Sequence, residues 1–129
     1  MSKTKRVHLI VGGYPSGALA GHDMDFARLS LLRFLSERHD VATTVAADFS
    51  DIGQHLHDAD LLLTYVAGPY PNDEQNEVLR DWLEAGGHWF ALHGTSGGKA
   101  ARVTNGRAMV KTGHHETLGA FFLNHPPLR

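Results

Sequence analysis

The feature that most constrains the fold is a series of short apolar runs that alternate with segments of helical periodicity. The longest run reads DLLLTYV over 60–66, and the others lie at 7–11, 41–45 and 88–92. A run that is apolar at every position suits a strand buried on both faces of a sheet. Strands that alternate with helices predict a parallel sheet covered on both sides. We therefore expect an α/β, flavodoxin-like doubly wound fold with four or five parallel strands and helices on both faces.

Three helices are expected between these strands. Asp23 is a good N-cap for a helix that reaches about His39, and a short helix is predicted over 51–59. Asn72 is followed three residues later by Gln75, which is a capping-box pattern, and the helix it starts should end before Gly86-Gly87.

Beyond residue 93 the alternation weakens. Residues 95–106 are rich in small and polar side chains and are predicted to form a loop, 106–111 a short extended piece, and 115–123 a short helix before two prolines. No further apolar strand follows, so the predicted sheet looks unfinished.

Composition narrows the class of protein. The 129 residues suit one domain, and the net charge of −2 does not favour binding to nucleic acid. No apolar run approaches the roughly eighteen residues that a membrane span needs, and no signal peptide is recognised at the N-terminus. A cytoplasmic location is expected. The absence of cysteine excludes thiolate chemistry and disulfides, whereas ten histidines offer metal ligands and proton-transfer groups.

The loops that follow the strands are the expected site. In open α/β sheets, ligands bind outside the carboxyl ends of the strands, which selects the loops 12–23, 46–50, 67–72 and 93–98. Residues far apart in the chain should therefore meet over one cleft. A partner of small-molecule type is expected, with neither nucleic acid nor membrane.

The turn HGTSGG after the fourth strand is the best local candidate for chemistry. His93 at this turn would point into the cleft as a general base or metal ligand, and Gly94 and Thr95 would offer backbone N–H groups to a substrate. The alternative is that His93 is buried and hydrogen-bonds the backbone beneath the loop.

Two other loops offer substrate contacts. Gly12 and Gly13 could bind an anion through backbone N–H groups, with His22 near the end of the same loop, although the glycines could equally serve only to turn the chain. Tyr70 stands between two prolines, where its ring could stack on a sugar or pack the loop down.

The sequence HHE at 114–116 places three polar groups in a row. We predict a substrate contact from His114 and catalytic roles for His115 and Glu116, against the alternative of a solvated helix start. A divalent metal such as zinc, held by His22, His93 and His114 or His115, stays open, and no residue is assigned as a metal ligand.

One segment carries a resemblance to a known family, and it reads TYVAGPYPNDEQNEVLRDWLEAGGHWFALHGTSGG. It resembles the ThuA-like (trehalose utilisation) domain, a branch of the class I glutamine-amidotransferase-like flavodoxin folds. The shared features are a polar D-E-Q helix start, an L-x-x-W-L-E-A-G-G helix end and an A-L-H-G turn. The final LGAFFLNHPPLR resembles the stretch that precedes a further strand in that family. The chain thus looks like a single ThuA-like domain over 1–129, either an N-terminal portion or a shortened form.

The resemblance also concerns the catalytic cysteine of the related amidotransferases, which this chain lacks. In amidotransferase relatives a cysteine stands at or one place from the position of His93, and the ThuA-like branch lacks it. Thiol-dependent glutamine hydrolysis is therefore excluded for this chain, which has no cysteine. The family's link to sugar catabolism implies a carbohydrate or oxidised-sugar ligand.

Three functional hypotheses remain open. The first is a sugar-active enzyme, a hydrolase or an isomerase, that uses His93. The second is a sugar-binding domain without catalysis. The third is an interaction domain that completes its sheet with a partner or a second copy, through the exposed edge of the strand at 88–92.

Overall fold

The structure is a computed structural model, and it describes residues 3–14, 23–104, 106–121 and 124–125. Within these residues, four parallel strands form one sheet in the order β2-β1-β3-β4. Three helices connect them along the chain. The elements are β1 (Lys5–Gly12), α1 (Met24–Ser36), β2 (Val41–Ala46), α2 (Ile52–Leu56), β3 (Leu61–Val66), α3 (Asp73–Glu84) and β4 (His88–Leu92). The predicted α/β flavodoxin-like fold is confirmed.

The pairing register brings the carboxyl ends of the strands to one edge. Val7 of β1 pairs with Thr43 of β2 and with Leu61 of β3, and Leu61 pairs in turn with His88 of β4. Because all three pairings are parallel, the loops that follow β1, β2, β3 and β4 leave from the same edge.

Two apolar clusters cover the two faces of the sheet. Alternate side chains of β1 point to opposite faces, as the pleat requires. The cluster under α2 and α3 contains Ile10, Phe49, Ile52, Leu56, Leu62, Val66 and Leu79. The cluster under α1 contains Val7, Leu9, Val11, Met24, Leu35 and Leu63. Trp82 and Trp89 pack against the first cluster.

The predicted helix starts are confirmed in atomic detail. The Asp23 carboxylate accepts a hydrogen bond of 2.9 Å from the Phe26 N–H. At the start of α3, the Asn72 side chain accepts from the Gln75 N–H at 2.8 Å, and the Asn72 N–H donates to the Gln75 side chain at 3.0 Å. These bonds satisfy backbone groups that a helix leaves open at its N-terminus.

The chain after β4 departs from the sequence prediction. A 3₁₀ turn (His93–Ser96) is followed by β5 (Lys99–Val103), β6 (Gly106–Val110), α4 (His114–Leu118) and β7 (Asn124–His125). The three strands form a separate antiparallel sheet in the order β5-β6-β7. The predicted loop over 95–106 is therefore wrong, while the extended piece at 106–111 is confirmed. The predicted helix at 115–123 is shorter, since Gly119 ends it with a φ of +77°.

The edge strand β4 is covered unevenly. Trp89 lies toward α2 and α3, whereas Phe90 pairs with Leu63 on the face that α1 covers. The helix α1 packs mainly over β1 and β2, and Phe90 of β4 is 58% exposed. The described part of the sheet thus leaves an apolar edge uncovered.

Candidate functional site

His93 occupies the turn that leaves the carboxyl end of β4. Its φ is +50°, in the left-handed region that side chains other than glycine rarely adopt. Such a conformation costs about 1–2 kcal/mol, and residues held in strained conformations cluster at functional sites. The His93 side chain is exposed, and its ring stacks on that of Tyr65 with centroids 5.4 Å apart and planes 18° apart. The strained residue therefore presents an imidazole at the edge of the sheet.

Glycines let the loops at this edge approach one another closely. A Cβ on Gly94 would lie 2.7 Å from the carbonyl oxygen of Val66, and one on Gly13 would lie 2.7 Å from the backbone of Ala67. A Cβ on Gly12 would overlap the carbonyl oxygen of Ala47. The loops after all four strands therefore lie against each other. Close packing explains Gly12, Gly13 and Gly94, whose predicted substrate contacts remain predictions.

Tyr70 ties the loop after β3 to the turn after β4. Its hydroxyl donates to the carbonyl oxygen of Gly94 at 3.1 Å, and its ring stacks on His114 with centroids 4.9 Å apart. Burial raises the pKa of Tyr70, and Tyr14 in the loop after β1 raises it further. Tyr70 thus packs its loop down, which was one of the two predicted roles. Its ring is half-buried and still borders the carboxyl edge of the sheet.

His114 lies beneath the turn and is fully buried. A carbonyl oxygen can only accept, so His114 donates through Nε2 to Thr95 at 2.9 Å, and its Nδ1 accepts from the Thr112 hydroxyl at 2.6 Å. Burial lowers the pKa of His114, mainly by removing the charged form from water. The alternative of a solvated helix start is wrong for this residue.

His115 is also buried and also donates a hydrogen bond to a backbone carbonyl of the turn after β4. Its Nδ1 accepts from the Thr112 N–H at 2.9 Å, and its Nε2 donates to the Gly97 carbonyl at 2.9 Å. Only 2% of the residue is exposed. A catalytic role for His115 would require those bonds to break, so the geometry favours a positioning role. The backbone-binding alternative weighed for His93 describes His114 and His115 instead.

Thr95 fixes the turn to β3 from within the protein. The residue is fully buried, and its Oγ1 accepts from the Thr64 hydroxyl at 3.1 Å and from the Val66 N–H at 3.2 Å. Trp89 Nε1 donates to the Thr64 hydroxyl at 2.9 Å and extends this network. The Thr95 hydroxyl is thus hydrogen-bonded inside the protein, and the substrate contact predicted for the Thr95 backbone N–H stays a prediction.

The structure does not gather all the predicted residues at one place. Glu116 is exposed, forms an ion pair with Lys111 that lowers its pKa, and lines a groove between α3 and α4. His22 lies outside the described residues. Within the described ranges, no group of three or more histidine, aspartate or glutamate side chains could hold a metal ion. A zinc site that includes His22 stays a prediction.

Two residues of this edge were missed by sequence reasoning. Tyr65 is the penultimate residue of β3, and the rule that ligands bind at strand carboxyl ends would have selected it. Thr112 contacts both His114 and His115. No local sequence pattern predicts that role, because it depends on α4 packing under the turn after β4.

The fold and this edge define an α/β protein of flavodoxin-like architecture with a histidine-bearing turn after its fourth strand. Comparison of the chain with models of protein families, with curated proteins and with solved structures found no match. No helix within the described ranges is long and apolar enough to cross a membrane, and the longest, α1, has 13 residues.

Proposed function

We propose that the chain is a ThuA-like protein of carbohydrate metabolism, in which the carboxyl edge of the sheet binds a sugar or oxidised sugar and His93 acts as general base or ligand. The observation that carries the proposal is the exposed imidazole of His93, held at a φ of +50° where β4 ends. The A-L-H-G motif that resembles the ThuA-like family places its histidine at this turn.

The chemistry of the edge suits a polyol or keto-sugar. An imidazole takes up or releases protons near neutral pH, which an isomerase or hydrolase of sugars requires. The aromatic rings of Tyr65 and Tyr70 offer apolar surfaces on which a sugar ring can stack. With no cysteine in the chain, acyl transfer through a thiolate is excluded.

The buried histidines support the proposal by holding the turn. His114 and His115 bind the carbonyl oxygens of Thr95 and Gly97, at 2.9 Å each. A rigid support of this kind keeps a reacting group in place before the ligand arrives. His114 and His115 are thus positioning residues, and His93 is the candidate catalytic residue.

The test uses the variant His93→Asn. Asparagine adopts the left-handed region more readily than most residues, so the backbone is preserved while the imidazole is lost. Sugars and keto-sugars are screened by thermal shift, and each compound that binds is assayed for turnover. We expect His93→Asn to retain binding and to lose at least about a hundredfold in turnover, the usual contribution of a general base.

The matched control is His39→Asn, an exposed histidine in the turn before β2, which should leave turnover unchanged. Turnover by His93→Asn at the wild-type rate would exclude the catalytic role. Binding without turnover by the wild-type protein would favour the sugar-binding alternative.

The uncovered edge of the sheet favours a second candidate, an interaction domain that pairs through β4. Phe90 on β4 is 58% exposed, and an apolar edge strand readily pairs with another chain. Light scattering over a range of concentrations should then show a dimer that Phe90→Glu dissociates. Phe34→Glu, at the 66% exposed Phe34 of α1, is the control. A monomer at every concentration counts against this candidate.

A further inference from the structure

His8, at the middle of β1, is enclosed between the sheet and α2. The residue is 1% exposed, and its ring stacks on the ring of His55, with centroids 4.2 Å apart and planes 8° apart. Its Nδ1 is hydrogen-bonded to the Thr44 hydroxyl of β2 at 2.7 Å. His55 belongs to α2, so the docked position of this short helix keeps water away from the His8 imidazole.

The second ring nitrogen of His8 has no partner in this enclosure. Nε2 is buried, and no hydrogen-bonding group among the described residues reaches it. A neutral imidazole can leave one nitrogen unprotonated, whereas an imidazolium carries an N–H on both. Protonation would therefore bury a donor without an acceptor, which is unfavourable. The closed arrangement of α2 on β1 thus suits only the neutral form of His8.

The charged groups at this end of the sheet are engaged with one another. Arg6 stands two residues before His8 on the same face of β1, and its guanidinium pairs with the Asp58 carboxylate at 3.4 Å. The Arg6 N–H donates to the Asp60 Oδ2 at 2.9 Å. The two carboxylates are therefore bound to Arg6, and neither is placed to stabilise a charged His8.

The strands and the helix on the other sides of His8 contribute uncharged groups. Thr44 and Leu62 pair with His8 on the adjoining strands. The helix α3, which packs against α2, adds apolar side chains to the cluster on this face, namely Val78, Leu79 and Trp82. Burial in these surroundings, and secondarily the charge of His55, lower the pKa of His8 from 6.5 to about 4.

The helix α2 is weakly anchored for an element that covers a buried histidine. It has five residues and begins after Asp51, whose φ of +56° is unfavourable for a side chain other than glycine. Asp51 makes no side-chain capping bond, unlike Asp23 before α1 and Asn72 before α3. Ile52 and Leu56 are its buried side chains. Elements with so few contacts open locally before the whole protein unfolds.

We propose that α2 is an acid-sensitive cover, which separates from β1 when His8 takes up a proton while the rest of the parallel sheet stays folded. In the open form, water satisfies both ring N–H groups of His8, and the two imidazoles move apart. The segment before α2 is the loop after β2, whose Ala47 carbonyl oxygen lies against Gly12 at the carboxyl edge. Opening therefore also loosens this part of the edge. The proposal does not depend on the proposed sugar site.

The size of the response follows from proton uptake by His8. With α2 open, His8 titrates near its ordinary pKa of 6.5, whereas in the closed protein its pKa is about 4. The closed form is therefore fully favoured above pH 6.5 and is favoured less and less as the pH falls toward 4. Between pH 7.5 and pH 5, the ratio of open to closed molecules should rise about thirtyfold.

Native-state hydrogen exchange of the whole protein, followed by NMR, measures this opening. The N–H groups of Gln54 and His55 bond to the Asp51 carbonyl and report on α2, while those of Leu9 and Ile10 report on the central strand β1. Each rate is divided by the rate of an unstructured peptide at the same pH, which gives a protection factor. At pH 7.5 we expect α2 to be at least about tenfold less protected than β1, and its protection should fall about thirtyfold at pH 5.

Urea distinguishes local opening from global unfolding. Unfolding of the whole protein exposes a large surface and is promoted by urea, whereas release of a five-residue helix exposes little. Up to about 1 M urea should therefore lower the protection of β1 and leave that of α2 unchanged.

Two variants and the wild type test the assignment to His8. His8→Leu removes the titrating group and keeps an apolar side chain under α2, so the protection of α2 should be the same at pH 7.5 and pH 5. His57→Gln, at an exposed histidine that follows α2, should retain the thirtyfold fall. In the wild type, without any substitution, the protection of α2 should fall about sevenfold per pH unit between pH 6 and pH 4.5.

Three results would overturn the proposal. The first is equal protection of α2 and β1 at both pH values, because α2 would then open only when the whole protein unfolds. The second is a thirtyfold fall that persists in His8→Leu, and the third is α2 protection in the wild type that does not change with pH. His93→Asn should show the wild-type exchange pattern, so failure of the sugar proposal leaves this result unaffected.

Discussion

His8 should make the stability of this protein depend steeply on pH. Its side chain lies under α2, where it is 1% exposed and stacks on His55 with ring centroids 4.2 Å apart. Its Nδ1 bonds the Thr44 hydroxyl at 2.7 Å, while its Nε2 is buried without a partner. Burial, and secondarily the neighbouring His55, lower the pKa of His8 from 6.5 to about 4.

The sign and size of the effect follow from this shift. The unfolded chain takes up a proton on His8 near pH 6.5, whereas the folded protein resists protonation until about pH 4. The neutral histidine therefore contributes stability that is fully present above pH 6.5 and is lost as the pH falls toward 4. Each pKa unit corresponds to about 1.4 kcal/mol, so the loss should be about 2 kcal/mol at pH 5 and about 3 kcal/mol at pH 4.

Urea unfolding of the wild type and of His8→Leu at pH 7.5 and pH 5 measures this contribution. The wild type should lose about 2 kcal/mol more than His8→Leu between the two conditions, because leucine does not titrate. Other groups with lowered pKa values, such as His114 and Asp60, affect both proteins equally and cancel. His57→Gln, at an exposed histidine that follows α2, should behave as the wild type does. The same pH dependence in wild type and His8→Leu would refute the reasoning.

Two further predictions concern the backbone at the site. In urea unfolding, His93→Gly should be more stable than His93→Ala by about 1 kcal/mol, because only glycine adopts a positive φ without strain. At the exposed helical residue Glu77, the control, the alanine variant should instead be more stable than the glycine variant. Gly94→Ala should lower the free energy of unfolding by about 1–3 kcal/mol, because its methyl group would lie 2.7 Å from the Val66 carbonyl oxygen. Gly53 lies within α2, and a Cβ there would be 3.7 Å from the Val78 side chain, an ordinary contact. Gly53→Ala should therefore raise the free energy of unfolding by about 0.5–1 kcal/mol. Equal effects of the two glycine substitutions would contradict this account of close loop packing.

The parallel half of the fold was predictable because its signals are local. A strand buried on both faces is mostly apolar, as 61–66 is apart from Thr64, and the capping residue Asn72 of α3 stands three residues from its partner Gln75. The antiparallel sheet was not recognised, since β5 reads KAARV and has no apolar run. The Asn-Gly pair at 105–106, whose glycine is the first residue of β6, is the local signal of a hairpin in this stretch.

The site was predictable only in part. His93 follows a recognisable strand, so its position at the edge of the sheet could be inferred from the chain. The roles of His114 and His115 could not, because adjacent residues at a helix start give the same pattern whether they are solvated or buried. Their burial depends on contacts with Thr95 and Gly97, some eighteen residues away.

The amino-acid sequence by itself determined the alternation of strands and helices in the parallel half and the edge at which their loops meet, because apolar periodicity and capping act within a few residues. Only the tertiary structure decided which histidine faces solvent and which are buried. It also decided that α4 holds the turn on one side and borders the groove on the other. Both outcomes depend on how distant segments of the chain pack against each other, and local sequence patterns do not predict that packing.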